Sequence, residues 1–224
     1  MSSLAVLSTG QTPRKDLISD LRAHWPANTE IHEYGALDGI TGGELETLTP
    51  SPGEEPLTSR LADGSSIVFG ANKIIPYLAA ALCRGESAGA EATLLVCGSE
   101  FPELPHVKPL FRGSDLLHHG AASLCHGAKV GVIRPLQSQL ADACRQWTQT
   151  LGRPLEAVAA AEPYDRVDMI AATAATELSQ CDVVILDCFR YSKATAAAVA
   201  RRSGCLTILT RTIVGRILGE VLSQ

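Results

Sequence analysis

Apolar runs too short to be helices recur along this chain, and stretches with helical spacing separate them. Leu4-Ala-Val-Leu7 is the first, and Lys129-Val-Gly-Val-Ile-Arg-Pro135 is a strong one. Two more end in a thiol: Ala92-Thr-Leu-Leu-Val-Cys97 and Asp182-Val-Val-Ile-Leu-Asp-Cys188. Short apolar strands alternating with longer helices are the pattern of a parallel sheet with helices on its faces. Strands are predicted at 4–7, 30–34, 65–70, 92–97, 129–135, 155–159, 182–188 and 206–210. Helices are predicted over 16–22, 72–88, 137–151, 165–180, 193–202 and 212–222, with Trp147 on the apolar face of the third. Residues 41–55 read as a loop with one helical turn, and the polar, Pro-rich segment from Glu100 to about Gly120 reads as the midpoint.

The chain has 224 residues, enough for one large domain or two halves of about 100 residues each. Hydrophobic residues make up 46% and aromatics only 4%, so Ala, Val, Leu and Ile must build the core. The formal charge is −5 and the basic residues are scattered, which argues against nucleic acid as a partner. No apolar run reaches the roughly 18 residues of a membrane span. The first ten residues lack the basic start and long apolar stretch of a signal peptide. The seven cysteines are odd in number and irregular in spacing, so free thiols in a reducing cytoplasm are expected.

In an open α/β sheet the ligand crevice lies at the carboxyl ends of the strands. A strand that stops at a cysteine delivers a thiol there. Free cysteine often simply packs, and Cys83, Cys125, Cys144, Cys181 and Cys205 receive that reading. Cys97 and Cys188 differ because both end strands, both precede small or polar residues, and both occupy equivalent places in two echoing halves. Two thiols facing each other across a small substrate would suit proton removal on one face of a carbon and delivery on the other. Asp187 points to the opposite face of its strand from Cys188 and is expected to bond backbone nearby.

The turn Ser8-Thr-Gly-Gln-Thr-Pro-Arg14 runs from a strand into a helix and can offer backbone N–H groups to an anion. Thr9 and Thr12 add hydroxyls, Gln11 an amide, and Arg14 a guanidinium suited to a carboxylate. The phosphate-loop and dinucleotide glycine patterns are absent, as is Gly-x-Ser-x-Gly. His118, His119 and His126 lie near Cys125, but their spacing fits no usual zinc pattern. Neither metal nor cofactor is therefore expected.

These residues bring a family into view. Ser8-Thr-Gly-Gln-Thr-Pro-Arg-Lys-Asp-Leu17, Gly35-Ala-Leu-Asp-Gly39, Cys97-Gly-Ser-Glu-Phe-Pro102, Gly131-Val-Ile-Arg-Pro135 with Gln139 and Trp147, and Leu186-Asp-Cys-Phe-Arg-Tyr-Ser192 together resemble the AroM family, a branch of the Asp/Glu/hydantoin racemase superfamily. The resemblance implies an Asp/Glu racemase-like α/β fold of two pseudo-symmetric Rossmann-like or flavodoxin-like halves with parallel sheets. The halves would be 1–115 and 116–224, with the C-terminal helix 212–224 packing back on the first. It also implies cofactor-independent proton transfer by Cys97 and Cys188 next to a carboxylate, as a racemase, epimerase or isomerase. A decarboxylase of a malonate-type acid and a non-catalytic carboxylate binder are the alternatives. Thr9, Gly10, Gln11, Gly98, Ser99, Pro135, Gln139 and Phe189 fall where the superfamily holds the substrate carboxylate and oxyanion. Arg14 belongs to the AroM-type loop. Arg190 stands where a glycine before Tyr191 is expected, and is read with Tyr191 as a substrate contact. A homodimer is the default assembly.

Overall fold

The computed structural model describes residues 3–223. It divides into two compact units, one formed by residues up to 114 together with 218 onward, the other by 115–217. No helix among the described residues is long and apolar enough to cross a membrane.

The first unit holds β1 (Ser3–Ser8), α1 (Lys15–Arg22), β2 (Glu30–Gly35), α2 (Gly43–Glu46), β3 (Pro56–Arg60), β4 (Ser66–Gly70), α3 (Ile75–Ser87), β5 (Ala92–Leu95) and β6 (Leu110–Arg112). Its main sheet runs β2-β1-β5-β6, with every pair parallel. β1 lies between β2 and β5, and residues 4–8 are all buried, as expected of a strand covered on both faces. Leu17 and Leu21 of α1 are buried at helical spacing, with Asp16 in its first turn and Arg22 in its last, where the helix dipole favours each charge. Leu37, Phe69, Leu78 and Leu82 belong to one buried apolar cluster.

The second unit begins within α4 (Gly113–Leu124) and continues with β7 (Val130–Arg134), α5 (Leu140–Leu151), β8 (Ala157–Ala160), α6 (Val167–Glu177), β9 (Val183–Leu186), α7 (Lys193–Ser203), β10 (Leu206–Leu209) and part of α8 (Thr210–Leu222). Its sheet is β10-β9-β7-β8, again parallel throughout. A single 3-10 turn, Gln137–Gln139, precedes α5. Ala143, Gln146 and Trp147 form the buried stripe of α5, which stops at Gly152 in the left-handed conformation (φ 66°). Ser192 caps α7 by accepting from the Thr195 N–H, and Gly204 (φ 77°) ends it.

Leaving the β3–β4 hairpin aside, both sheets have one order: second strand, first strand, third strand, fourth strand. That is the start of the flavodoxin-like order, and its crevice lies between the first and third strands. The α/β class and parallel sheets expected from the sequence are thus observed. Three local expectations change. The segment from Glu100 carries β6 and most of α4, because its prolines stop short of Leu110 and the following residues have the apolar spacing of a helix. Residues 66–70 are a strand, but they pair antiparallel with β3, which the sequence reading left unassigned. Both thiol-bearing strands end earlier than predicted, at Leu95 and Leu186, so Cys97 and Cys188 stand two residues past their ladders.

β7 lies close to α6 and its following turn at Gly131, where an added Cβ would fall 2.7 Å from Cys181 Sγ and 3.2 Å from Leu178 Cδ2. Gly131→Ala is expected to destabilise the protein by about 1–3 kcal/mol through overpacking. Denaturant titration would read this as a lower midpoint with an unchanged slope.

Candidate functional site

In the first unit the crevice end is built from the turn after β1 and the turn after β5. The register of the two strands ends at Leu7 opposite Leu95, which brings the Thr9–Gly10 turn alongside Cys97–Ser99. Thr9, Gly10 and Ser99 are buried, and Cys97 and Gly98 partly so. Among the described residues, the backbone N–H groups of Thr9, Gly10, Gly98 and Ser99 donate no hydrogen bond. Ser8 Oγ is buried there with no partner among the described residues. Thr9 Oγ1 donates to Ser59 Oγ of β3 at 3.2 Å. Small residues, open amides and hydroxyls around a thiol suit a carboxylate or an enolate oxygen.

The rest of the Ser8–Arg14 turn is already engaged within the protein. Gln11 donates from its amide to Leu37 O and Ile40 O, both at 2.9 Å, and its Oε1 accepts the Ala62 N–H at 2.9 Å. Its backbone N–H donates to Arg60 O at 3.0 Å. Thr12 donates to both oxygens of Asp38, at 2.8 Å from the backbone and 3.0 Å from the hydroxyl. The Arg14 guanidinium binds both oxygens of Asp16 at 3.0 Å, and its backbone N–H goes to Glu33. The protein's own carboxylates thus fill the anion positions of this turn. Its sequence signal is genuine, but the side chains of Gln11 and Arg14 tie loops together. Gly10 is where the β3–β4 hairpin seats: an added Cβ would lie 2.3 Å from Arg60 O and 2.5 Å from Ser59 Oγ.

The second unit places Pro135 after β7 and Cys188 after β9, on the two paired central strands. Pro135 and Phe189 are buried and Cys188 is partly exposed. Gln139 Oε1 accepts the Leu136 N–H at 3.2 Å, shaping the turn after β7. The Cys188 turn is anchored from three sides. Tyr191 donates its hydroxyl to Ala161 O at 2.6 Å, Arg211 Nε donates to Phe189 O at 2.9 Å, and Thr210 Oγ1 donates to Leu186 O at 2.7 Å. Tyr191 is completely buried, and burial first, then the neighbouring Cys188 charge, holds its hydroxyl well above the ordinary range. Its place is under the turn.

Asp187 does more than bond nearby backbone. Its Oδ2 lies 2.8 Å from Arg134 Nε and accepts from Trp147 Nε1 at 2.7 Å, with Asp187 1% exposed. Arg134 also donates to Gln146 Oε1 at 2.7 Å, and His118 stacks on Trp147 with ring centroids 4.1 Å apart. A charged residue ending an apolar strand requires such a partner, and that was the available signal. Glu162 and Tyr164 were missed in sequence: Arg190 Nη1 lies 3.3 Å from Glu162 Oε1, and the Arg190 guanidinium sits 5.2 Å from the Tyr164 ring centre. A groove of about 620 Å³ between α4, α7, β10 and α8 contains neither crevice cysteine.

Residues 4–222 match the family model described as "AroM protein", and the chain belongs to that family. No curated protein sequence matches it significantly. The fold is shared with the maleate isomerase Iso of Pseudomonas putida S16 (TM-score 0.64, 11% identity, 99% of this chain and 92% of that one). It is shared with glutamate racemase of Francisella tularensis subsp. tularensis SCHU S4, solved with D-glutamate (0.63, 15%, 98% and 80%). Unliganded arylmalonate decarboxylase is similar as well (0.60, 10%, 100% and 93%).

Two expectations follow from the contacts. Gln11→Ala removes three side-chain hydrogen bonds that join separate loops and should cost about 2–4 kcal/mol of stability at about 1 kcal/mol per bond, read by denaturant unfolding. Cys181 is pushed up to about 11, first by burial and then by Cys205, Glu156 and Asp182. Burial disfavours its thiolate, so at pH 8 only about one molecule in a thousand carries it. In native protein Cys181 should remain unlabelled by iodoacetamide while exposed Cys83 reacts, as peptide mass spectrometry would show.

Proposed function

We propose that this protein is a cofactor-independent racemase, epimerase or isomerase acting at a carbon next to a carboxylate. One thiolate takes the proton from that carbon and becomes a thiol, and the electron pair is left conjugated with the carboxylate. The other thiol gives its proton to the opposite face and becomes the thiolate. This reading requires Cys97 and Cys188 to meet one substrate from its two faces. The observation that carries it is positional equivalence: each thiol stands two residues past the third strand of its sheet, beside the turn that follows the first strand. Family membership and the fold common to racemases, an isomerase and a decarboxylase support it. The open N–H groups of Thr9, Gly10, Gly98 and Ser99 are suited to the developing enolate charge, and donors of this kind are worth about 2.7–4 kcal/mol each in the transition state.

The test is proton NMR in deuterated water against α-amino acids, hydantoins, malonates and unsaturated diacids. Wild type is expected to exchange the proton next to the carboxylate of one class. Cys97→Ser and Cys188→Ser should each lower that exchange by roughly 10²–10⁴-fold. Loss of carbon dioxide that survives in one of the two variants would replace this reading with a one-thiol decarboxylase. Saturable binding of a carboxylate with no exchange in wild type would replace it with a binding protein.

A further inference from the structure

Ser59 lies in β3 and is 3% exposed. Its strand seats on the turn after β1. The Gln11 N–H donates to Arg60 O at 3.0 Å, and the Ala62 N–H donates to Gln11 Oε1 at 2.9 Å. The seat requires a glycine, because a Cβ on Gly10 would lie 2.5 Å from Ser59 Oγ. The hairpin thus delivers the Ser59 hydroxyl against Thr9 and Gly10. Leu57, two residues earlier on the same buried face of β3, belongs to the apolar cluster on which Cys97 packs. Hairpin and thiol therefore meet the same core.

The Thr9 hydroxyl donates to Ser59 Oγ at 3.2 Å. That bond spends the Thr9 proton inside the protein. Ser59 is the acceptor, and among the described residues its own hydroxyl proton has no acceptor. A buried donor left unmade is costly. The amides of Thr9 and Gly10 beside it donate no bond either. The carboxylates of this region are already taken. Asp38 accepts from Thr12 and from the Gly35 N–H, Asp16 from the Arg14 guanidinium, and Glu33 from the Arg14 N–H. Donors thus outnumber acceptors around Ser59, a setting suited to an oxygen that brings negative charge.

We infer that Ser59 is a substrate-binding residue, and that its hydroxyl donates to the carboxylate held at the Thr9–Gly10 turn. It does so in the place where the resemblance expects the Thr9 side chain. The inference rests on the reading above that this turn holds the substrate carboxylate. It adds a residue from a hairpin that lies outside the parallel sheet. Thr9 keeps its amide for the anion and uses its hydroxyl to orient Ser59.

The test is protection of Cys97 from iodoacetamide, followed peptide by peptide in the full chain, with exposed Cys83 as reference. Malonate, acetate and inorganic sulfate are the probes. In wild type at least one probe should slow Cys97 and leave Cys83 unchanged. Ser59→Ala should raise the probe concentration that halves the Cys97 rate about tenfold, the effect of one hydrogen bond to a charged group. Ser59→Cys keeps the size but offers only a weak S–H donor, and should raise it similarly. Thr9→Val keeps the amide and should raise it less than Ser59→Ala does. An unchanged concentration in Ser59→Ala overturns the inference, as does a larger rise in Thr9→Val, or a wild type that no probe protects. A structural role alone would change the rate without probe and leave the protecting concentration where it was. Labelling of buried Cys181 reports unfolding. Where Ser59→Ala unfolds, Ser59→Cys decides: a raised concentration supports the donor and an unchanged one overturns it. Ser59-dependent protection in a protein that exchanges no carbon-bound proton would keep Ser59 and remove the racemase reading. Exchange with protection indifferent to Ser59 would do the reverse.

Discussion

A parallel strand whose two neighbours are reached by crossovers on opposite faces must leave an opening at its carboxyl end, because the connections diverge there. β1 has this position in the first unit and β7 in the second, each flanked by the strand that follows it and by the strand that leads to a thiol. Backbone amides just beyond the ladder have no strand to bond. They must be satisfied by side chains, by solvent or by ligand. The chain uses side chains along most of the Gln11–Arg14 stretch, through Asp38, Glu33 and the Gln11 contacts. It leaves the amides nearest Cys97 without such partners among the described residues. The topology creates the opening, and the capping leaves the amides beside Cys97 without side-chain partners among the described residues.

In the second unit the same opening is organised by charge. Asp187 and Arg134 are both almost wholly buried, and each has further hydrogen bonds, from Trp147 and to Gln146. Such a pair contributes little net stability against an apolar pair of equal size. Its value is geometric. It joins the ends of β7 and β9 to α5, and so fixes the backbone from which Cys188 projects. Removing either partner would leave the other buried and uncompensated, which typically costs 3–5 kcal/mol. Anchoring by Arg211, Thr210 and Tyr191 adds to this, so the thiol stands on a rigid turn although it lies outside the sheet.

The alternation of strands and helices was legible because each apolar run is bounded by polar residues and each helix has a buried stripe. The place of Cys97 and Cys188 just past strand ends was legible for the same reason, since they end such runs. The β3 strand was not, because Leu57-Thr-Ser-Arg60 has little apolar character, although Asp63-Gly64 at its turn, with Gly64 at φ 89°, is a hairpin signal. The roles of Gln11 and Arg14 were not legible either. An amide or guanidinium in a glycine turn reads the same whether it holds a substrate or a loop. The difference lies in Asp16, Leu37, Ile40 and Ala62, and for Ile40 and Ala62 in particular sequence gives no hint of proximity. Arg190 is the same case, since its partners Glu162 and Tyr164 come from another strand's loop.

The two units therefore prepare similar topological openings by different means. The first places neutral donors and hydroxyls around Cys97. The second places the Asp187–Arg134 and Arg190–Glu162 ion pairs around the turn that carries Cys188. Arg190 stands beside Tyr191 in the turn that carries Cys188, and its buried guanidinium is compensated by Glu162 and the Tyr164 ring.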